Sequence, residues 1–392
     1  MLKQILAMGT AALLSGAATA QELYPLQPHP DGVAWATDEW PRLSAPPEDV
    51  DTEAVEQLVR QAMEGVRGDV MGETRAIVII RGGELVLEAY NHGFGRNTKQ
   101  VSWSVAKSIT HGLVGRAAQR GLIASIDDPM PSPFVEDDPR AAISWRQWLN
   151  MTDGLDHTEV EATSLAENDA AQMLFGAGAS DIGAYARREM DVLHPPGEVW
   201  NYSTAGYNLI GAALQRLESG ERQAPDATFG TALFDSIGAA IQPEFGPDGT
   251  YLGGALVYAS ARDFAKFGYL YLRDGMWDGE RLLPEGWVDF ARTDTPATNS
   301  NVYGAGFWIT APDDDPTRGA YISTPPWDSF HAGGSEGQTI WIVPSKDLVV
   351  VRLGLMQNSD EDWQALYEWN QALSRTFPDV VSGSVNAPAA DN

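Results

Sequence analysis

Two β-hairpins, one near each end of the chain, constrain the fold more than any other feature. Ala76-Ile77-Val78-Ile79-Ile80 and Leu85-Val86-Leu87-Glu88-Ala89-Tyr90 flank Arg81-Gly82-Gly83-Glu84. About 250 residues later, Gln338–Val343 and Leu348–Leu353 flank Pro344-Ser345-Lys346-Asp347. β-Rich runs around a short turn read as hairpins. Between them the chain is helical and loop-rich over about residues 100–250. The pattern predicts an α/β (α+β) fold in which both chain ends build one antiparallel sheet flanked by helices. The helical stretch is then an insertion, with a cleft between the two parts.

Helices are expected on either side of the hairpins. Thr52–Val66 carries apolar residues at helical spacing, Ser104–Arg120 ends at a C′ glycine, Gly121, and Glu361–Arg375 is amphipathic. A further helix starts at Ser260-Ala261-Arg262-Asp263-Phe264. The expected divisions are residues 1–20 as a signal peptide, 21–50 as a proline-rich extended surface segment, 51–378 as one domain, and 379–392 as a frayed tail. The signal peptide is read from Lys3, the apolar run Ile5–Leu14 and Ala18-Thr19-Ala20 before Gln21. That run is too short for a membrane anchor, so a periplasmic or secreted protein is expected.

Composition narrows the function by exclusion. The chain of 392 residues has no cysteine, which removes disulfides, a lipoprotein attachment site, thiol catalysis and cysteine-ligated metals. Its 43% hydrophobic content supplies a real core. The net charge of −28 argues against nucleic-acid or anionic-lipid partners. The six histidines are scattered without H-E-x-x-H or comparable spacing, and no phosphate-binding glycine loop is present, so no metal or cofactor is expected. Asp313-Asp314-Asp315 reads as a solvated acidic loop.

The chemistry concentrates in three places. Ser104 and Lys107 stand three residues apart at a helix start, so both project from one face. A neutral lysine there can take the serine proton. Trp103 and Val105-Ala106 provide apolar bulk that would lower the lysine's proton affinity, and the helix N-terminus favours a developing anion. Alone, S-x-x-K also describes an ordinary exposed pair. Tyr202, in Trp200-Asn201-Tyr202-Ser203-Thr204, is either a phenol whose pKa a neighbouring ammonium lowers, serving as base or proton shuttle, or a packing aromatic before a helix capped by Ser203 or Thr204. The third place is His331-Ala332-Gly333-Gly334-Ser335-Glu336-Gly337-Gln338, where strand-edge glycines admit a substrate and offer an N–H to an oxyanion, or where the loop merely turns into the strand. Trp103, Trp200, Trp308, Trp327 and Trp341 lie near these segments, as pocket walls or as packing.

Together these elements resemble the penicillin-recognising serine hydrolases, in particular the class C β-lactamase-like branch. That branch includes esterases, D-aminopeptidases, D-Ala-D-Ala carboxypeptidases and 6-aminohexanoate-dimer hydrolases. Its pattern is S-x-x-K, then Y-x-N about a hundred residues later, then a K-T-G or H-x-G strand. Ile143–Leu155 and Gly253–Leu272 also resemble the family, and the Gly337-Gln338 pattern is closest to the aminohexanoate branch. The resemblance implies a β-lactamase/transpeptidase-like fold. It makes Ser104 the nucleophile, Lys107 its base and Tyr202 the proton donor to the leaving group. Ser104 and Gly334, within the Gly333-Gly334 stretch, would supply the oxyanion hole, and His331 would take the place of the third-motif lysine. Thr204 replaces the Y-x-N asparagine that would hold a substrate amide and help place Lys107. The implied activity is hydrolysis of a small-molecule amide, ester or peptide-like substrate through an acyl-serine. A true β-lactamase, a D-Ala-D-Ala carboxypeptidase and a non-catalytic binding or sensor protein of the same fold are the alternatives.

Overall fold

The structure is a computed structural model that describes residues 23–43, 45, 47–131, 138–160, 162–188, 191–219, 228–295, 302–310 and 326–380. The expected signal peptide, the Asp313–Asp315 loop and most of the expected tail lie outside the described residues. None of the described helices is long and apolar enough to cross a membrane.

Helix α1 (Thr52–Glu64) starts at Asp51, whose carboxylate accepts from the Ala54 N–H at 3.0 Å. It turns Val55, Val59 and Ala62 inward at i, i+4, i+7 spacing. Strands β1 (Glu73–Arg81) and β2 (Glu84–Tyr90) follow as a hairpin. Gly82 and Gly83 have φ of 59° and 83°, the pair of positive values that a type I′ turn needs. Then come α2 (Val105–Gln119), α3 (Thr204–Ser219) and α4 (Ala261–Leu272). The chain returns to the sheet as β3 (Trp308–Ile309), β4 (Phe330–Gly334), β5 (Gln338–Val343) and β6 (Leu348–Leu355), and closes with α5 (Asp360–Arg375).

The sheet order is β2-β1-β6-β5-β4-β3, antiparallel at every step. The two terminal hairpins therefore meet where β1 pairs with β6, from Arg81 opposite Leu348 to Glu73 opposite Leu355. Strand alternation assigns the faces. Ile77, Ile79, Trp341, Val343, Leu348 and Val350 pack against α1 and α5. Val78, Ile80, Ile340, Ile342, Val349 and Val351 turn to the other face and join the core shared with α2 and α4. Covered on both faces, β5 and β6 are buried along nearly their whole length, with the apolar stretches Ile340–Val343 and Leu348–Val351 showing no alternation.

Arg352 on β6 is fully buried and ties the sheet's two halves together. Its guanidinium donates to the carbonyls of Met71 (2.7 Å), Glu73 (3.2 Å), Glu336 (3.1 Å) and Gly337 (3.0 Å), and to Thr74 Oγ1 (3.2 Å). The last two carbonyls belong to the β4–β5 turn, where Glu336 and Gly337 have φ of 63° and 80°.

The proline-rich lead differs from expectation. It is extended, but it is anchored by its aromatic residues rather than lying free on the surface. The His29 ring stacks on Trp35 at 3.8 Å and hydrogen-bonds the Tyr269 hydroxyl at 2.7 Å. Trp40 is buried and donates to the Arg262 carbonyl at 3.2 Å.

Helix α4 approaches the sheet closely at Gly268, where a Cβ would lie 2.6 Å from Ile340 Cγ2 and 2.8 Å from Val349 Cγ1. Gly268→Val is expected to lower stability by about 1–3 kcal/mol through overpacking. An unchanged urea midpoint would show that the helix can move away freely.

Candidate active site

The start of α2 lies on the inner face of the sheet, beside the end of β4. Ser102 clips the preceding loop in place: its N–H donates to the Val257 carbonyl, and its Oγ accepts from the Val257 N–H, both at 2.9 Å. Trp103 then takes φ of 45°, a conformation uncommon for a bulky residue that typically costs about 1–3 kcal/mol. Its indole donates to Glu336 Oε2 at 2.9 Å and meets Phe175 edge-on at 6.4 Å. Trp103 thus links α2 to the β4–β5 turn. Ser104 follows at the N-cap position, yet its side chain makes no capping hydrogen bond.

Lys107 lies one turn further on and is only 1% exposed. Its Nζ donates to Ser104 Oγ at 3.1 Å, to Thr204 Oγ1 at 2.9 Å and to the Gly254 carbonyl at 2.6 Å. These acceptors come from α2, from the start of α3 and from the loop before Val257. Gly254 must be a glycine for that approach, because a Cβ there would fall 2.3 Å from the Thr204 carbonyl oxygen. Burial lowers the affinity of Lys107 for its proton, to a pKa of about 8, with the negative charge of Glu159 acting in the opposite direction. Roughly a tenth of the lysine is therefore neutral at pH 7 and about half at pH 8, where it can accept a proton.

Tyr202 precedes α3, whose first turn is capped by Ser203 accepting from the Gly206 N–H at 2.9 Å. The Tyr202 phenol is within hydrogen-bonding reach of Ser104, and its ring lies 4.5 Å from Lys107 Nζ. Trp308 stacks on that ring at 5.7 Å. The expectation that the ammonium lowers the phenol's pKa is not met. Burial, with the charge of Glu159, raises it, and the hydrogen bond to Ser104 offsets this only in part. Tyr202 is therefore suited to carry and donate a proton rather than to act as a phenolate.

Gly334 ends β4 directly against the helix start. A Cβ on it would lie 2.3 Å from the Ser102 carbonyl oxygen and 3.0 Å from the Ser104 nitrogen, so only glycine fits. Strand β3 pairs with β4 only at Phe330 and His331, so among the described residues the Ala332–Gly334 edge has no strand partner on that side. Gly333 faces the other way, toward the Trp308 indole.

His331 is not where the sequence expectation put it. Strand parity turns its ring to the face covered by α5, where it stacks on Trp341 at 4.7 Å and hydrogen-bonds the Tyr367 hydroxyl at 2.7 Å. Burial pushes its pKa down to about 3, so it carries no charge near neutral pH. It is a neutral packing residue, not a stand-in for a third-motif lysine. Trp341 lies with it behind the sheet.

Thr204 also departs from expectation. It is buried and holds Lys107 rather than leaving the lysine unplaced. Behind it stands Glu159, which the sequence reading missed. Glu159 accepts from the Thr204 hydroxyl at 2.7 Å and from the Thr204 N–H at 2.8 Å, and meets His157 Nε2 at 3.0 Å. The only sequence signal was the H-x-E spacing of His157 and Glu159, which is far too common to single out. The described residues contain no group of three or more side chains suited to hold a metal ion.

Comparison with known proteins gives a consistent result. A family model described as Beta-lactamase matches residues 55–371. A 6-aminohexanoate-dimer hydrolase of Paenarthrobacter ureafaciens is 25% identical over 306 residues, covering 75% of this chain and 76% of that protein. Among solved structures, a candidate 6-aminohexanoate-dimer hydrolase from Bacillus anthracis aligns with a TM-score of 0.65 at 19% identity, over 91% of this chain and 90% of its own. A penicillin-binding protein homolog from Caulobacter crescentus aligns with a TM-score of 0.59 at 17% identity, over 86% of this chain and 99% of its own. At these identities the solved structures speak for the fold, and the family match covers most of the chain. The chain belongs to the beta-lactamase family and has its β-lactamase/transpeptidase-like fold.

Proposed function

We propose that this protein is an exported serine hydrolase that cleaves an amide or ester through an acyl intermediate on Ser104. The observation that carries this reading is the buried Lys107 amine 3.1 Å from an uncapped serine hydroxyl. In the proposed course, neutral Lys107 takes the Ser104 proton as Oγ attacks the substrate carbonyl carbon. The N–H groups of Ser104 and Gly334 receive the oxyanion. Tyr202 passes its proton to the leaving nitrogen or oxygen and regains one from the Lys107 ammonium. Water then attacks the acyl-serine, giving up a proton to Lys107, and Ser104 is regenerated.

The surroundings combine apolar and polar walls. A cavity of about 330 Å³ beside Tyr202 is walled by Leu155, Val160, Leu193, Val199 and Trp200 and equally by Asp156, His157, Thr158, Glu159, His194 and Asn201. Phe175, 65% exposed, stands beside Trp103 at the other side. With His331 behind the sheet, the third motif brings no cation to receive a substrate carboxylate. These features support ester or linear amide hydrolysis over β-lactam hydrolysis, in line with the amide-cleaving activity named for the Paenarthrobacter relative.

Ser104→Ala is expected to lower kcat on p-nitrophenyl esters or aminohexanoate oligomers by about 10³-fold or more. Undiminished turnover in that variant would end the assignment. The dependence on neutral Lys107 predicts that kcat/KM rises with pH through about 8 and then levels off. A profile flat from pH 6 to pH 9 would mean that another group accepts the proton. Export predicts that mass spectrometry of the protein recovered from its native host finds Gln21 as the first residue; an intact Met1 would argue against cleavage.

A further inference from the structure

Thr204 and Glu159 form a relay whose direction is fixed by counting hydrogens. A threonine hydroxyl has one proton to give. Thr204 gives it to Glu159 Oε1 at 2.7 Å, so the hydroxyl can meet Lys107 only as an acceptor, at 2.9 Å. The chain of donors therefore runs from the Lys107 amine through the Thr204 hydroxyl to a carboxylate. An asparagine at position 204 would present its own amide oxygen to the lysine and would need no anion behind it.

We propose that Glu159, acting through Thr204, is a positioning residue that places the Lys107 amine and balances the electrostatic cost of its burial. The proposal rests on the acyl-serine reading above. Glu159 is itself held from several sides. The Thr204 N–H donates to it at 2.8 Å, and His157 Nε2 stands 3.0 Å from its Oε2. Asn201 fixes the segment by donating to the His157 carbonyl at 2.7 Å. The side chain remains 14% exposed, so the carboxylate is not sealed from water.

The charged and titratable groups around this relay can be named by element. From α2 comes Lys107. From the segment leading into α3 comes Tyr202, with Tyr207 further along the helix. From the loop holding Glu159 come His157 and Asp153, the latter buried, which raises its pKa to about 6. Asp169 Oδ2 lies 3.8 Å from His157 Nδ1, and from the segment before β3 Tyr303 feels the negative charge of Glu159, which helps to raise its pKa. Lys107 is the cation that the negative charge of Glu159 most directly stabilises, and Glu159 is the charged group that opposes the desolvation of Lys107. Removing that charge leaves desolvation unopposed, so the lysine should lose its proton at lower pH.

The test is the pH dependence of Ser104 labelling by a fluorophosphonate, read by intact-protein mass spectrometry and requiring no knowledge of the substrate. In Glu159→Gln, which keeps the shape and loses the charge, the rising limb of the labelling rate should move to lower pH by about one unit or more. Glu159→Asp should return it toward the wild-type position. A limb that stays at the wild-type pH in Glu159→Gln overturns the proposal, as does a loss of rate without a shift that Glu159→Asp fails to restore. If Glu159→Gln does not fold, Thr204→Val cuts the relay and should shift the limb in the same direction; an unshifted limb there is equally fatal. Failure of the wild-type protein to label at Ser104 would count against the acyl-serine reading instead, so the two failures are distinct.

Discussion

An ammonium group taken almost wholly out of water needs hydrogen-bond acceptors from whatever surrounds it, and at Lys107 three separate parts of the chain supply them. The Ser104 hydroxyl, the Thr204 hydroxyl and the Gly254 carbonyl lie on α2, at the start of α3 and on the loop before the short strand at Val257–Ala259. Each can reach the amine only if its own element is docked to within a few tenths of an ångström. The glycine at 254, the capping of α3 by Ser203 and the Ser102 clip all serve that convergence. Proton acceptance and structural order at this point are therefore one property: the same burial that weakens the hold of the lysine on its proton also makes misplacement of its neighbours costly.

The other half of the candidate site is organised by the sheet. Gly334 reaches the N-terminus of α2 because the β4–β5 turn is fixed from beneath by Arg352 and from above by the Trp103–Glu336 hydrogen bond. A guanidinium offers five donors in a rigid fork. Here they are spent on four backbone carbonyls and the Thr74 hydroxyl, in two distant segments, Met71–Thr74 and Glu336–Gly337. The amino-terminal hairpin thereby supports a turn formed by the carboxy-terminal one. This gives a physical reason for a sheet built from both ends of the chain.

The outline of this arrangement was legible because it is written in local patterns. The β-branched runs around Gly82-Gly83 and around Pro344–Asp347, the capped start at Ser260 and the amphipathic stretches at either end all became the elements they suggest. The Ser104–Lys107 spacing likewise survives folding intact, since one helical turn decides it. What could not be read depended on direction and distance. His331 and Gly334 sit in the same short strand, but parity turns one toward α5 and leaves the other against α2. Glu159 is a loop residue 45 positions from Thr204, and nothing in its surroundings announces the contact. The sense of the Tyr202 shift was missed for a related reason. It depends on the depth of burial and on that same unseen carboxylate.

Ser104 occupies the place where a serine would ordinarily close the first turn of a helix by accepting from a backbone N–H, a contribution of about 1 kcal/mol. It does not do so, and with Trp103 held at positive φ just before it, the most important helix of the cleft begins in a state its own sequence could improve. Evolution toward greater stability would find easy gains here, in a better cap or a relaxed backbone. Each would spend the hydroxyl or move it. On the proposed acyl-serine reading, the frailty at the head of α2 can thus persist without any lack of remedies, because such remedies would cost the hydroxyl that attacks the substrate.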